Sequence, residues 1–326
     1  MTLVGRLDVG IEALLKTVEN PLSTVFTTKG IYEACEIVLQ HTPTSMLGEH
    51  PMPDAKANTL VSPELAAETE LFKKAYSDYR AAADPMPFAL KLTPYPDLAL
   101  KFEKGLRLVM IDSMLVEHPQ QIANDLNAVV RHYHQLEAWT KVLPNYDESE
   151  RLAIVSEFLE PLASFLLNAP HLLAQRFVYS VSHLAHQANL LTRAGAKEDD
   201  LPDERNIGLK VMRKVAAGWP TFAPFAAALL LLDDESFSDQ TDNFRNKQHH
   251  RIPARFELGH TQWVTRNRAE KRVSYGIGGR PPLKLEELLV PLAVQHDRAC
   301  AVFSVYLDLI HEISAAIEAR NEKSGK

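Results

Sequence analysis

The sequence predicts an all-α fold: a helical bundle with one basic β-hairpin inserted before the C-terminal helix. Three observations carry that expectation. Long stretches place apolar residues at i, i+3, i+4 and i+7; Pro, Asn and Asp punctuate them; and in a single window near residue 270 the period changes to two.

Residues 1–40 give one or two short amphipathic helices, closed by a Pro-rich loop at 41–58. The stretch 62–83 is a strong helix, with Ser62 as cap, Pro63 at the first position and Glu64 early. A second Pro-rich break follows at 84–96. Four periodic segments are expected next, at about 97–116, 119–142, 147–168 and 170–194, then an acidic loop at 194–204. Shorter helices are expected near 205–217, 221–233 and 237–250. The stretch 261–279 alternates large and charged residues between glycines and reads as a hairpin turning around Arg268–Glu270. A long helix with Pro291 inside closes the chain. At this level the chain divides into an N-terminal helical segment, 1–96, and a bundle, 97–326, with the 84–96 break as the candidate boundary.

Composition is that of a globular protein, 46% hydrophobic and 24% charged. The two cysteines, Cys35 and Cys300, are far apart, which suggests neither a disulfide framework nor clustered zinc ligands and points to a reducing compartment. Acidic residues stand where a signal peptide would have its apolar stretch. The apolar run 222–232 is too short to span a bilayer. A cytoplasmic protein with no membrane partner is expected.

Charge is unevenly placed. The whole chain carries −7, yet residues 244–280 hold nine basic side chains against Glu257 and Glu270, a net +7 that leaves −14 on the remainder. Arg245, Lys247, Arg251, Arg255, Arg266, Arg268, Lys271, Arg272 and Arg280 make up that segment. A basic hairpin on an acidic protein suits a phosphate-bearing partner such as RNA. The competing reading is that these cations pair with the chain's own acidic loops, 197–204 and 233–242.

Within the segment, Arg245-Asn246-Lys247-Gln248-His249-His250 places an arginine, a polar residue and two histidines in one helical stretch. Two further Arg–His pairs share such spacing, Arg255–His260 and Arg176–His183, but only Arg245 is followed directly by a polar residue. The chemistry suits metal-independent RNA cleavage. A guanidinium fork can neutralise charge growing on a phosphate, and a histidine titrating near neutrality can move protons. On a straight helix His249 shares the face of Arg245, whereas His250 is turned about 140° away. Arg245 and His250 therefore converge only if the helix stops between them or if two copies face each other. Pro253 favours an early stop.

This arginine–polar–spacer–histidine pattern, late in a helical bundle, resembles the signature of the HEPN superfamily of helical nucleotide-binding and RNase domains. The resemblance covers roughly residues 170–320. It implies an endoribonuclease of the toxin or phage-defence kind, without a cofactor or metal. It also implies catalytic roles for Arg245, Asn246 and His250, with His249 as the alternative histidine, and a site composed across a homodimer. Lys247, Arg251, Arg255, Arg266, Arg268, Lys271 and Arg272 would hold the RNA. A departure is the Arg251-Ile252-Pro253 that follows the histidines. The other reading that stays open is a non-catalytic interaction module, in which the basic segment binds RNA, a nucleotide or an acidic protein.

Other candidates carry less. His183 and His186 stand at i, i+3, but no carboxylate is near in sequence to complete a metal site. Glu257-x-x-His260 lacks the second copy that a di-iron bundle needs. Residues 131–139 mix polar and aromatic side chains as an amphipathic packing face does, and the glycines of 275–280 fit the end of a hairpin rather than a dinucleotide loop.

Overall fold

The structure, a computed structural model, describes residues 62–100, 106–192, 199–269 and 272–324. The helices and loop expected in 1–58, Cys35, Lys271 and the tip of the hairpin lie outside the described residues. Among those described the fold is helical with one two-stranded antiparallel sheet, as the sequence predicts.

Helix α1, Pro63–Ala83, starts where its cap requires. The Ser62 side chain accepts from the Leu65 N–H at 3.2 Å, and Pro63 occupies the first turn, where its missing donor costs nothing. Its buried Tyr79 stacks on Trp139 at 4.7 Å, and Trp139 on Phe158 at 5.2 Å, so an aromatic stack joins three elements. The Pro-rich stretch after α1 is held rather than loose. Asn127 accepts from the Thr93 N–H at 2.8 Å and donates to the Thr93 carbonyl at 2.9 Å. Leu90, Leu98 and Leu100 enter the same core as α1. The 84–96 break, the expected boundary, thus lies inside one unit spanning residues 61–326.

The four helices expected between 97 and 194 are fewer and longer. Helix α2, Leu106–Val142, runs straight through Pro119. Proline costs about 3 kcal/mol in a helix interior. Leu115, Ile122, Ala123 and Leu126, all fully buried around it, offset that at about 1.5–3 kcal/mol for each large side chain. Helix α3, Glu148–Ile154, opens on a reciprocal capping box between Asp147 and Glu150. It continues through a wide π turn, Val155–Leu159, into α4, Glu160–Thr192. Pro161 cannot donate and crowds the carbonyl four residues back; the π turn just before it loosens the ladder and lets the chain stay helical. Pro170 is buried inside α4.

Short helices follow: α5, Leu209–Ala216; α6, Phe222–Leu229; α7, Glu235–Gln240; and α8, Phe244–His250. The single helix expected at 237–250 is two, because Asp242 and Asn243 adopt the left-handed conformation. Their short polar side chains tolerate it better than most. Strands β1, Val264–Ala269, and β2, Arg272–Ile277, form the hairpin. Helix α9, Leu285–Ser324, then buries Leu292, Val302, Tyr306, Ile310 and Ile313 against α2, α4 and α6. Two helical runs, 148–192 and 285–321, are long and apolar enough to cross a bilayer by length and composition, and both supply a large share of this core.

Candidate nucleic-acid interface

Helix α8 is short, and its position is set from below. Phe244 is buried and packs on Phe256 at 5.2 Å; Gln248 accepts from Asn168 of α4 at 2.7 Å. The helix runs through His250 and stops at Arg251, whose extended backbone still donates to the Lys247 carbonyl at 2.7 Å. The stop therefore falls after His250, not between Arg245 and His250.

Arg245 is engaged within the chain. Its Nε donates to Asp233 Oδ2 at 3.1 Å, and its Nη1 lies 3.1 Å from His171 Nδ1. The same His171 Nδ1 lies 3.2 Å from Asp233 Oδ2, so Arg245, Asp233 and His171 meet in one cluster. Asp233 is itself fixed: its backbone is left-handed, and its N–H donates to Gln295 of α9 at 3.0 Å. Arg245 thus ties α8 to α4 and α9.

The two ends of the motif face different depressions. His250 lines a cavity of about 350 Å³ with Asn243, Asn246, Lys247 and Arg251. Arg245 instead borders a smaller one of about 120 Å³, whose wall carries Asp233, Asp234 and Glu235. Only Asn246 of the expected catalytic set reaches both. His249 and His250 are exposed, their ring centres 6.3 Å apart. Within one chain, Arg245 and His250 do not converge on a common phosphate position.

The basic segment sorts into two groups. Lys247 is buried, and its Nζ sits 2.5 Å from Asp242 Oδ1; Arg280 binds the same carboxylate at 2.9 and 3.1 Å. Arg255 reaches Glu160 at 3.4 Å. With Arg245, four of the nine cations are therefore neutralised, three of them by the 233–242 loop that the competing reading named. Arg251, Arg266, Arg268 and Arg272 are exposed and face no carboxylate among the described residues.

Three of those four stand on the hairpin, which projects from the core. Its register pairs Val264 with Ile277, Arg266 with Tyr275 and Arg268 with Val273. Both strands are exposed; Tyr275 is 67% and Ile277 93% accessible. The base is fastened by reciprocal backbone bonds between Thr261 and Arg280, at 3.1 and 2.7 Å. Gly279 is required there, since a Cβ would come within 2.8 Å of His260.

Sequence reasoning missed His171, Asp233 and Asp242 as partners of the motif. A signal for two of them was present in the acidic run 233–242; for His171, 74 residues from Arg245, there was none. Three further histidines, His118, His183 and His186, take enclosed positions. His186 is held by Asp199 at 2.8 Å. His118 and His183 sit edge to face, their ring centres 6.4 Å apart. Burial lowers both pKa values, and each imidazole keeps one buried nitrogen without a partner. Glu257 accepts from the first N–H of α9 at 2.6 Å, a capping role. Among the described residues no cluster of His, Cys, Asp or Glu is arranged to hold a metal. Searches of protein-family profiles, curated proteins and solved structures find no match for this chain.

Proposed function

We propose that this chain is a cytoplasmic RNA-binding protein of the HEPN type, in which phosphate is met by the hairpin and the exposed end of α8. One observation carries the reading: Arg251, Arg266, Arg268 and Arg272 stay exposed and meet no carboxylate among the described residues, on a protein whose other residues are strongly acidic. Uncompensated guanidinium groups on a projecting ribbon attract a polyanion and leave counter-ions to be released on binding. The test is RNA binding by wild type and by the triple variant Arg266→Ala, Arg268→Ala, Arg272→Ala. Loss of most affinity in the variant supports the reading; equal binding by both removes it.

RNA cleavage is a second reading, favoured by the open cavity that His250, Asn246 and Arg251 share. In this arrangement His250 could move protons while Arg251 or a second copy's Arg245 meets the phosphate. It requires either that Arg245 leave Asp233 or that the work pass to another cation. Cleavage assays with EDTA present, comparing wild type, Arg245→Ala and His250→Ala, decide it. Activity lost only with His250 supports a site around that cavity. Activity equal in all three assigns any cleavage to a contaminant and leaves the binding reading alone.

A further inference from the structure

The hairpin has a face that its charge alone does not explain. Residues paired directly across an antiparallel ribbon share a face, as do alternate residues along each strand. One face is therefore built from Val264, Arg266 and Arg268 of β1 beside Ile277, Tyr275 and Val273 of β2. It is a row of arginines next to a row of apolar and aromatic side chains. All six are exposed, with Val264 at 62% and Val273 at 46%. A two-stranded ribbon outside a core is marginally stable, and one that displays a Tyr and three β-branched residues to solvent is built to be covered.

The composition selects what covers it. An apolar protein surface would match the β2 row but would strip water from Arg266 and Arg268 without giving them a partner, which is costly. A base-paired duplex would satisfy the arginines but keeps its bases stacked inside, out of reach of Tyr275. A strand of unpaired nucleotides offers both chemistries in alternation, flat apolar rings for Tyr275 and phosphates for the neighbouring guanidinium groups. Arg266, directly opposite Tyr275, is placed both to flank a base resting on the tyrosine ring and to reach its phosphate.

We propose that this face of the hairpin is a stacking platform for single-stranded RNA, with Tyr275 carrying an unpaired base between Arg266 and Arg268. The inference rests on the RNA-binding reading above and names its substrate class. The experiment is fluorescence anisotropy with a labelled oligouridine, free or annealed to oligoadenosine, against wild type and Tyr275 variants. Wild type is expected to bind the single strand more tightly than the duplex. Tyr275→Ala is expected to lose about tenfold on the single strand and nothing on the duplex, while Tyr275→Phe keeps the wild-type value. Tyr275→Val, which retains strand propensity without a ring, should match the alanine variant and so separate stacking from hairpin folding. Unchanged single-strand binding by Tyr275→Ala, or an equal loss on both forms, overturns the platform and leaves RNA binding standing. Wild type that binds neither form overturns both. Labelled oligothymidine bound more tightly than oligouridine overturns the choice of RNA.

Discussion

At the scale of single residues, the most consequential is Asp242, which no motif marks. It holds the buried Lys247 and the half-buried Arg280 on one carboxylate, and so fixes α8 against the base of the hairpin. Removing one partner of such a pair strands a charge away from water. Asp242→Ala is therefore expected to cost about 3 kcal/mol, read from urea denaturation. Adding Lys247→Met to that variant should return most of the loss, since a flexible apolar side chain fills the site without an uncompensated ammonium. A double variant no more stable than Asp242→Ala would place the cost in Arg280 instead. His118 and His183 make a second case. Burial is the main cause holding both pKa values below the ordinary 6.5. For His118 the neighbouring His183 adds to the depression against weaker support from Glu117, whereas for His183 the carboxylates of Glu204 and Asp199 oppose the burial and outweigh the smaller lowering by His186. The unfolded chain takes up protons below pH 6.5 that the folded chain refuses. Their contribution is thus intact above that pH and is lost as pH falls through the folded values. The urea midpoint should drop between pH 7 and pH 5, and a His118→Asn, His183→Asn variant should flatten that slope.

At the scale of elements, the hairpin is fastened at its base, and its described residues contribute nothing to the hydrophobic core. Replacing residues 262–279 by an Asn-Gly turn between Thr261 and Arg280 should leave the thermal midpoint within a few degrees of wild type, because the replaced residues bury little. RNA affinity should fall to that of the triple arginine variant. A collapsed midpoint would show that the ribbon is structural. The hairpin was legible in the sequence because its period is local: Val273, Ser274, Tyr275 and Ile277 alternate within reach of one another. Ser62 and Pro63 announced α1 for the same reason. Pro119 and Pro170 misled, since a proline's cost is local whereas the burial that outweighs it comes from distant helices. The split of α7 from α8 was hidden in Asp242 and Asn243, whose left-handed backbone is favoured but not dictated by residue type. Hidden too was the fate of Arg245. Its spacing to His250 could be counted, but its partners stand 74 and 12 residues away and meet it only once α4 and the 233 turn are packed.

At the scale of the whole molecule, the division of charge decides how binding responds to salt. The segment 244–280 carries +7 and the remainder −14, but charge in the sequence is not charge available to a ligand. Arg245, Lys247, Arg255 and Arg280 are already matched by Asp233, Asp242 and Glu160. Counter-ions are released only by cations that newly meet phosphate, with a slope of about −0.7 in log affinity against log salt for each contact on a single strand. The four arginines that are exposed and meet no carboxylate among the described residues then predict a slope of about −3, which weakens binding by somewhat less than a hundredfold between 50 and 200 mM salt. All nine cations would give about −6 by the same rule. The acidic remainder repels any strand that leaves the ribbon, so lengthening the oligonucleotide should not steepen the slope. A titration of oligouridine affinity across that salt range therefore measures whether the internal ion pairs survive binding. A slope near −3 means that α8 keeps its anchors and only the four exposed arginines meet RNA. A slope near −6 means that Arg245 leaves Asp233 when RNA arrives, which would bring the guanidinium to the phosphate and restore the catalytic reading of the Arg245–His250 pair.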